Sequence, residues 1–225
     1  MTPFRNRLGA AALAVAGLLF LLYPALRPWH DEETAAGALA SMGSNAWVAS
    51  HLFAMIGFIL VPFGLLALRD AVKETRAERT AAASIVMFWI GAGLTLPYYG
   101  AENFALNAIA HEGTDILELA DAVRNGSVAV TTFGLGLILL GVGGVLAAVA
   151  VWRSGVLARW SGVPFGAGFA LFLPQFFTPA ASRIGHGVLL AAGCVLLAGV
   201  LWRVGQTRST VTLPGNSRSA NLPTA

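Results

Sequence analysis

Apolar runs of membrane-crossing length, separated by short charged turns, dominate this sequence and leave few folds open to it. The runs cover 8–26, 47–68, 81–99, 127–152, 160–177 and 184–202. An α-helix rising about 1.5 Å per residue needs about 20 apolar residues to cross the hydrocarbon of a bilayer. Backbone groups in lipid must bond within their own segment, so each run is expected as a helix. Composition agrees: 11% of residues are charged and 56% are hydrophobic, with a mean hydropathy of +0.72. A soluble domain carries about 25% charged residues. The expected fold is therefore all-α, an integral membrane bundle of six transmembrane helices over residues 1–203. A disordered cytoplasmic tail rich in Ser, Thr and Pro follows over 204–225.

The first run follows a basic lead, Met1 to Arg7, and has the layout of a secretory signal. The small-residue pattern Ala38-Leu39-Ala40 lies too far downstream for cleavage, so the run reads as a retained helix. In the loop after it, Asp31 is placed to cap a short interfacial helix. The third run contains Pro97, a site for a kink, and its helical pattern can continue to residue 111. Thr114 to Arg124 reads as a short amphipathic helix with Ile116, Leu119, Ala120 and Val123 on one face.

The basic residues set the orientation. With the N-terminus in the cytoplasm, Arg5, Arg7, Arg69, Lys73, Arg76, Arg79, Arg153, Arg159, Arg203, Arg208 and Arg218 lie inside, and only Arg27, Arg124 and Arg183 lie outside. That is a strong positive-inside bias. It places both termini in the cytoplasm of a multi-pass plasma-membrane protein. The net charge of +3 is spread over the ends of the runs and forms no stripe, which argues against nucleic acid as a partner; the lipid bilayer is the expected one. Cys194 stands alone in an apolar run, so there is no disulfide or thiolate cluster.

In this orientation His30, His51, His111 and His186 all fall on the outer side, with most of the carboxylates. Between Leu96 and Gly113, Tyr99, Asn103, Asn107 and His111 recur every four residues and form one helical stripe, with Glu102 beside it. From Arg69 back to His51 is about 27 Å, and from Arg203 back to His186 about 26 Å. From Arg79 to Tyr98 is about 29 Å, and from Arg159 to Gln175 about 24 Å. These groups therefore share a layer near the outer boundary, where ionisable side chains usually face a bundle interior. His51, Tyr98, Tyr99, Glu102, Asn103, Asn107, Gln175, Arg183 and His186 are the candidate pocket residues, with Arg183 as the expected partner of Glu102.

Several chemical readings fit this layer. His51, Glu102 and His186 supply two imidazoles and a carboxylate, a set that suits Zn or Fe, with His30 or His111 as substitutes. His51 and His186 also match the axial ligation of haem, although no inner histidine pair accompanies them. A third reading is an accessory or small-ligand-binding protein whose polar layer closes one end of the bundle. A transporter or permease is a fourth, but no intramembrane charge continues through the inner half. No GxSxG elbow or phosphate-binding glycine loop occurs. Glycines in the fourth and fifth runs suit close helix packing, within the chain or against a membrane partner or second copy.

The excess of Arg over Lys and the Ala, Gly and Leu bias look bacterial. Tyr98 to Phe104 (YYGAENF) and Pro174 to Gly187 (PQFFTPAASRIGHG) resemble stretches of bacterial multi-pass membrane proteins. That resemblance implies the general layout and carries no activity.

Overall fold

The structure is a computed structural model and describes residues 3–113 and 115–211. Thr114 and most of the expected tail lie outside the described residues. Among the described residues every regular element is a helix. In chain order these are α1 (Pro3–Leu26), α2 (Ala35–Met42), α3 (Asn45–Ala71), α4 (Glu78–Gly100), α5 (Leu106–Glu112), α6 (Ile116–Asn125), α7 (Ser127–Ser154), α8 (Val163–Ala170) and α9 (Ala180–Val211). A π turn, Ala101–Ala105, joins α4 to α5, and a 3-10 turn, Pro174–Phe177, follows α8.

Five helical rods are long and apolar enough to cross a membrane: Phe4–Leu26, Asn45–Ala71, Glu78–Glu112, Ser127–Ser154 and Ala180–Gln206. The run at 160–177 is not a sixth such rod. Its helix stops at Ala170, four residues before Pro174. Pro174 has no N–H to offer the Ala170 carbonyl, and its ring crowds that group. Pro62 and Pro97 lie inside helices that continue through them, each with long helical arms on both sides. The 163–177 segment has only two turns before its proline. After it, Thr178 is extended ahead of Pro179, as a residue before proline prefers.

The rods pack antiparallel in a closed ring. Gly9 of α1 meets Phe63 and Ala67 of α3, Gly64 of α3 meets Leu13 of α1, and Gly57 meets Phe20. At the other side of α1, Gly17 lies on Ala191 and Cys194, and Gly187 lies on Leu21 and Pro24 of α1. Gly91 and Gly136 bring α4 and α7 together, and the Ser84 hydroxyl donates to the Gly143 carbonyl at 2.7 Å. Segment 162–176 then runs back along α7: Gly162 meets Val151, Gly166 meets Ala148, Phe169 meets Gly144, and Phe176 meets Phe133. Gly193 on Phe165 joins α9 to α8 and completes the ring. Apart from Gly134, which meets nothing within 4 Å, the glycines of the fourth and fifth runs thus find close neighbours within the chain, as small residues do where packing rather than hydrophobicity drives helix association.

Phe20, Phe58, Phe88, Phe169 and Phe172 fill the centre, with edge-to-face pairs such as Phe20–Phe58 at 5.1 Å and Phe88–Phe169 at 4.9 Å. At one end a smaller cluster of Ala38, Met42, Trp47, Leu106, Ile116 and Ala120 fastens α2, α5 and α6 to α3. The cap of α2 differs from expectation. Thr34, not Asp31, is its N-cap, accepting from Gly37 N at 3.2 Å, while the Asp31 carboxylate takes the Glu33 N–H. Thr34 is the residue whose extended backbone immediately precedes the first helical turn. At the other terminus α9 continues past Trp202, where the apolar run ends, to Val211.

Candidate functional site

The π turn decides how the polar layer is presented. Its wider winding turns the adjacent residues Glu102 and Asn103 both inward, and both are buried. The same change breaks the four-residue stripe. Tyr99 and Asn103 are buried, Asn107 is half-buried, and His111 is exposed where α5 leaves the ring and packs on α2 and α6.

A cavity of about 230 Å³ opens beside this turn, lined by residues of α1, the loop after it, α3, α4, the π turn, α6, α7, the 3-10 turn and the start of α9. Of the expected residues, His51, Tyr98, Tyr99, Glu102 and Arg183 line it. Arg27, Glu32 and Arg124 line it too, with Tyr23, Phe133 and Phe176. The charged groups form one connected frame. Arg124 Nε and Nη2 donate to the two Glu102 carboxylate oxygens at 2.7 and 3.0 Å. Arg124 also pairs with Glu32 at 2.9 Å, and Arg27 Nη2 holds the other Glu32 oxygen at 2.7 Å. Burial opposes the charge on Arg124, but its hydrogen bonds to Glu102 and the charges of Glu102 and Glu32 outweigh that and raise its pKa above the ordinary arginine value. The Trp47 indole lies within cation–π range of Arg27 (4.7 Å) and Arg124 (5.8 Å), and its Nε1 donates to the Glu102 carbonyl at 2.9 Å.

The expected Glu102–Arg183 pair is therefore replaced by Glu102–Arg124. Arg183 is held elsewhere, with Nε donating to the Thr178 carbonyl at 3.1 Å and Nη2 to the Phe176 carbonyl. The reason lies in chain geometry: α6 lays Arg124 across the π turn, while Arg183 is tethered by the loop directly before α9.

His51 sits among rings, 4.3 Å from Trp47 and 5.5 Å from Tyr23, and its Nδ1 bonds the Trp47 carbonyl at 2.8 Å. A carbonyl only accepts, so Nδ1 carries the proton and the Nε2 lone pair of the neutral ring is left as an acceptor. The Tyr99 hydroxyl is buried and makes no hydrogen bond of ordinary geometry, although it lies close to Tyr23. Tyr98 stacks on Phe133 at 4.0 Å and donates to the Arg124 carbonyl at 3.3 Å.

The other candidates stand apart. His186 Nε2 bonds the Gly168 carbonyl at 2.7 Å, and His186 and Gln175 line a second, much smaller cavity with Phe172. Asn107 donates to the Met42 carbonyl at 2.6 Å and fastens α5 to α2. The Asn103 amide is fully buried with neither atom bonded. His30 and His111 are exposed. Among the described residues no group of three or more His, Cys, Asp or Glu side chains could hold a metal ion. His51, Glu102 and His186 thus do not form the expected ligand set, because Arg124 occupies the Glu102 carboxylate and α8 holds His186. His51 and His186 line different cavities, so the fold does not bring them together as an axial haem pair.

The residues that sequence reasoning passed over are Arg27, Glu32 and Arg124. A signal for two of them was present: the three arginines that depart from the positive-inside bias, Arg27, Arg124 and Arg183, are the three that line the cavity. No protein family, curated protein or solved structure gives a significant match to the chain.

Proposed function

We propose that this chain is a bacterial plasma-membrane protein that crosses the bilayer six times, with both termini cytoplasmic, and binds a small polar ligand in a cavity facing the outer side. The observation that carries the reading is the cavity itself. Charged and aromatic side chains from separate helices converge on it, and its frame of Arg27, Glu32, Arg124 and Glu102 is held by ion pairs. Binding sites combine such fixed polar groups with apolar walls.

The six crossings are supported by helix direction. α7 and α9 are both antiparallel to rods that run with α1, so the intervening chain must return along the bundle, and its contacts from Val151 to Phe133 follow that course. The eighteen positions of α7 between those contacts measure about 27 Å at helical rise, close to a hydrocarbon thickness of about 30 Å. The outward face is supported by the positive-inside count and by the belt at the opposite end, where Arg159 lies 4.0 Å from the Trp152 ring. The phenylalanine-filled centre beneath the cavity favours binding over passage.

The test is thiol labelling in intact cells, with Cys194→Ser as background. Phe177→Cys, 85% exposed beside the cavity residue Phe176, is expected to react with a membrane-impermeant maleimide from outside. Arg159→Cys is expected to react only after permeabilisation. Labelling in the reverse sense would invert the orientation and end the outward-facing reading.

A further inference from the structure

The charges lining the cavity do not cancel. Three guanidiniums, of Arg27, Arg124 and Arg183, meet two carboxylates, of Glu32 and Glu102. The carboxylates are taken up by Arg27 and Arg124. Arg183 has no carboxylate partner among the described residues. Its Nε and Nη2 are fixed by the Thr178 and Phe176 carbonyls, and its Nη1 makes no hydrogen bond among the described residues. The guanidinium is thus oriented before any ligand arrives, flanked by the Trp29 ring at 5.4 Å and the Phe176 ring at 5.5 Å.

An unpaired charge in a partly buried site is unfavourable, and an anion at Arg183 would compensate it. The excess is a single positive charge, so the matching ligand carries a single negative one. The rest of the cavity supplies complementary contacts. The Tyr99 hydroxyl is buried beside the Tyr23 hydroxyl, and His51, with Nδ1 on the Trp47 carbonyl, leaves Nε2 as an acceptor. The Tyr98–Phe133 stack and Phe176 offer an apolar wall. The volume of about 230 Å³ falls below the roughly 300 Å³ at which pockets for drug-sized ligands begin, so the bound part is small.

We infer that the cavity takes a small organic monoanion, with its oxyanion on Arg183 and its apolar body against Tyr98, Phe133 and Phe176. This rests on the ligand-binding reading above. The oxyanion chemistry is shared by a free monocarboxylate and by the phosphodiester of an anionic lipid headgroup.

Calorimetric titration of the full chain in a neutral detergent tests the inference and separates the sources. The probes are benzoate against its neutral isostere benzamide, and dihexanoylphosphatidylglycerol against dihexanoylphosphatidylcholine. Benzoate is expected to bind about tenfold or more tighter than benzamide, the effect of one charge-assisted contact. Arg183→Gln is expected to abolish that preference. Selective binding of the phosphatidylglycerol without benzoate, again lost in Arg183→Gln, would support the same site with a lipid as the source. Equal binding of benzoate and benzamide with no preference for the anionic lipid overturns the inference, as does a preference that survives Arg183→Gln or binding of no probe at all. The isostere comparison uses the unaltered chain and holds even if the variant fails to fold. Equal saturable binding of benzamide and benzoate would leave the ligand-binding reading standing, whereas failure of the outside-labelling experiment would end the outward-facing reading whichever probe binds.

Discussion

The two ends of the bundle hold similar kinds of residue and use them differently. At the cavity end, arginines and glutamates are drawn inward. The side chains of Arg124, Glu32 and Glu102 are 23%, 17% and 12% exposed, and they tie the loop after α1, the π turn and α6 into one frame. At the opposite end the paired charges are more exposed, although Arg7 is half-buried. Arg69 and Glu78 approach only to 3.6 Å with much of both side chains exposed, Arg76 donates to the Arg153 carbonyl, and Arg159 rests on Trp152. Counting arginines does not distinguish the ends in this respect; what differs is whether neighbouring elements cover them. Cover turns a pair of weak surface charges into a structural joint, because a partly dehydrated charge that loses its partner has no water to replace it.

That contrast can be broken at its strongest point by Arg124→Met. It leaves Glu102 without its partner and Glu32 with one fewer, and is expected to lower stability by about 3–5 kcal/mol, measured by SDS-titrated unfolding in mixed micelles. A loss under about 1 kcal/mol, in the range of surface pairs, would show that the frame is no more than a surface network. An intermediate effect belongs to the ring itself. A Cβ on Gly193 would stand 2.5 Å from the Phe165 backbone nitrogen, whereas one on Gly185 meets nothing within 4 Å. Gly193→Ala is expected to destabilise by about 1–3 kcal/mol through overpacking, and Gly185→Ala to stabilise α9 by about 0.5–1 kcal/mol. The same unfolding assay reads both, and equal behaviour of the two variants would contradict the α8–α9 contact. The smallest effect is expected from Glu78→Gln at the opposite end, within about 0.5 kcal/mol because the Arg69 pair is largely solvated. A loss as large as that of Arg124→Met would erase the difference between the ends.

The helical, membrane-compatible character of the chain was legible from the apolar runs, because lipid leaves a long apolar segment no other way to satisfy its backbone. Five of the six runs become rods of crossing length. The run at 160–177 reads as apolar throughout, but the consequence of Pro174 depends on how much helix flanks it, which hydropathy does not measure. Depth along a helix follows from residue count, which puts His51, Tyr98, Gln175 and His186 in one layer with Glu102 slightly above it; of these His51, Tyr98 and Glu102 line the main cavity. Rotation about the helix axis and the choice of partner do not follow from count. His186 shares the level but faces the Gly168 carbonyl in the smaller cavity.

The sequence by itself therefore determined the number and composition of the apolar runs, the charge asymmetry between their ends, and the absence of paired cysteines. Each depends only on residue identity and order. Only the tertiary structure decided that Glu102 binds Arg124 rather than Arg183, that a π turn carries Glu102 and Asn103 inward together, and that Arg183 is held at the cavity by backbone carbonyls. The physical reason is that hydrogen bonds and ion pairs form over a few ångströms. Residues 22 positions apart come within that range only after helix packing has fixed which faces meet.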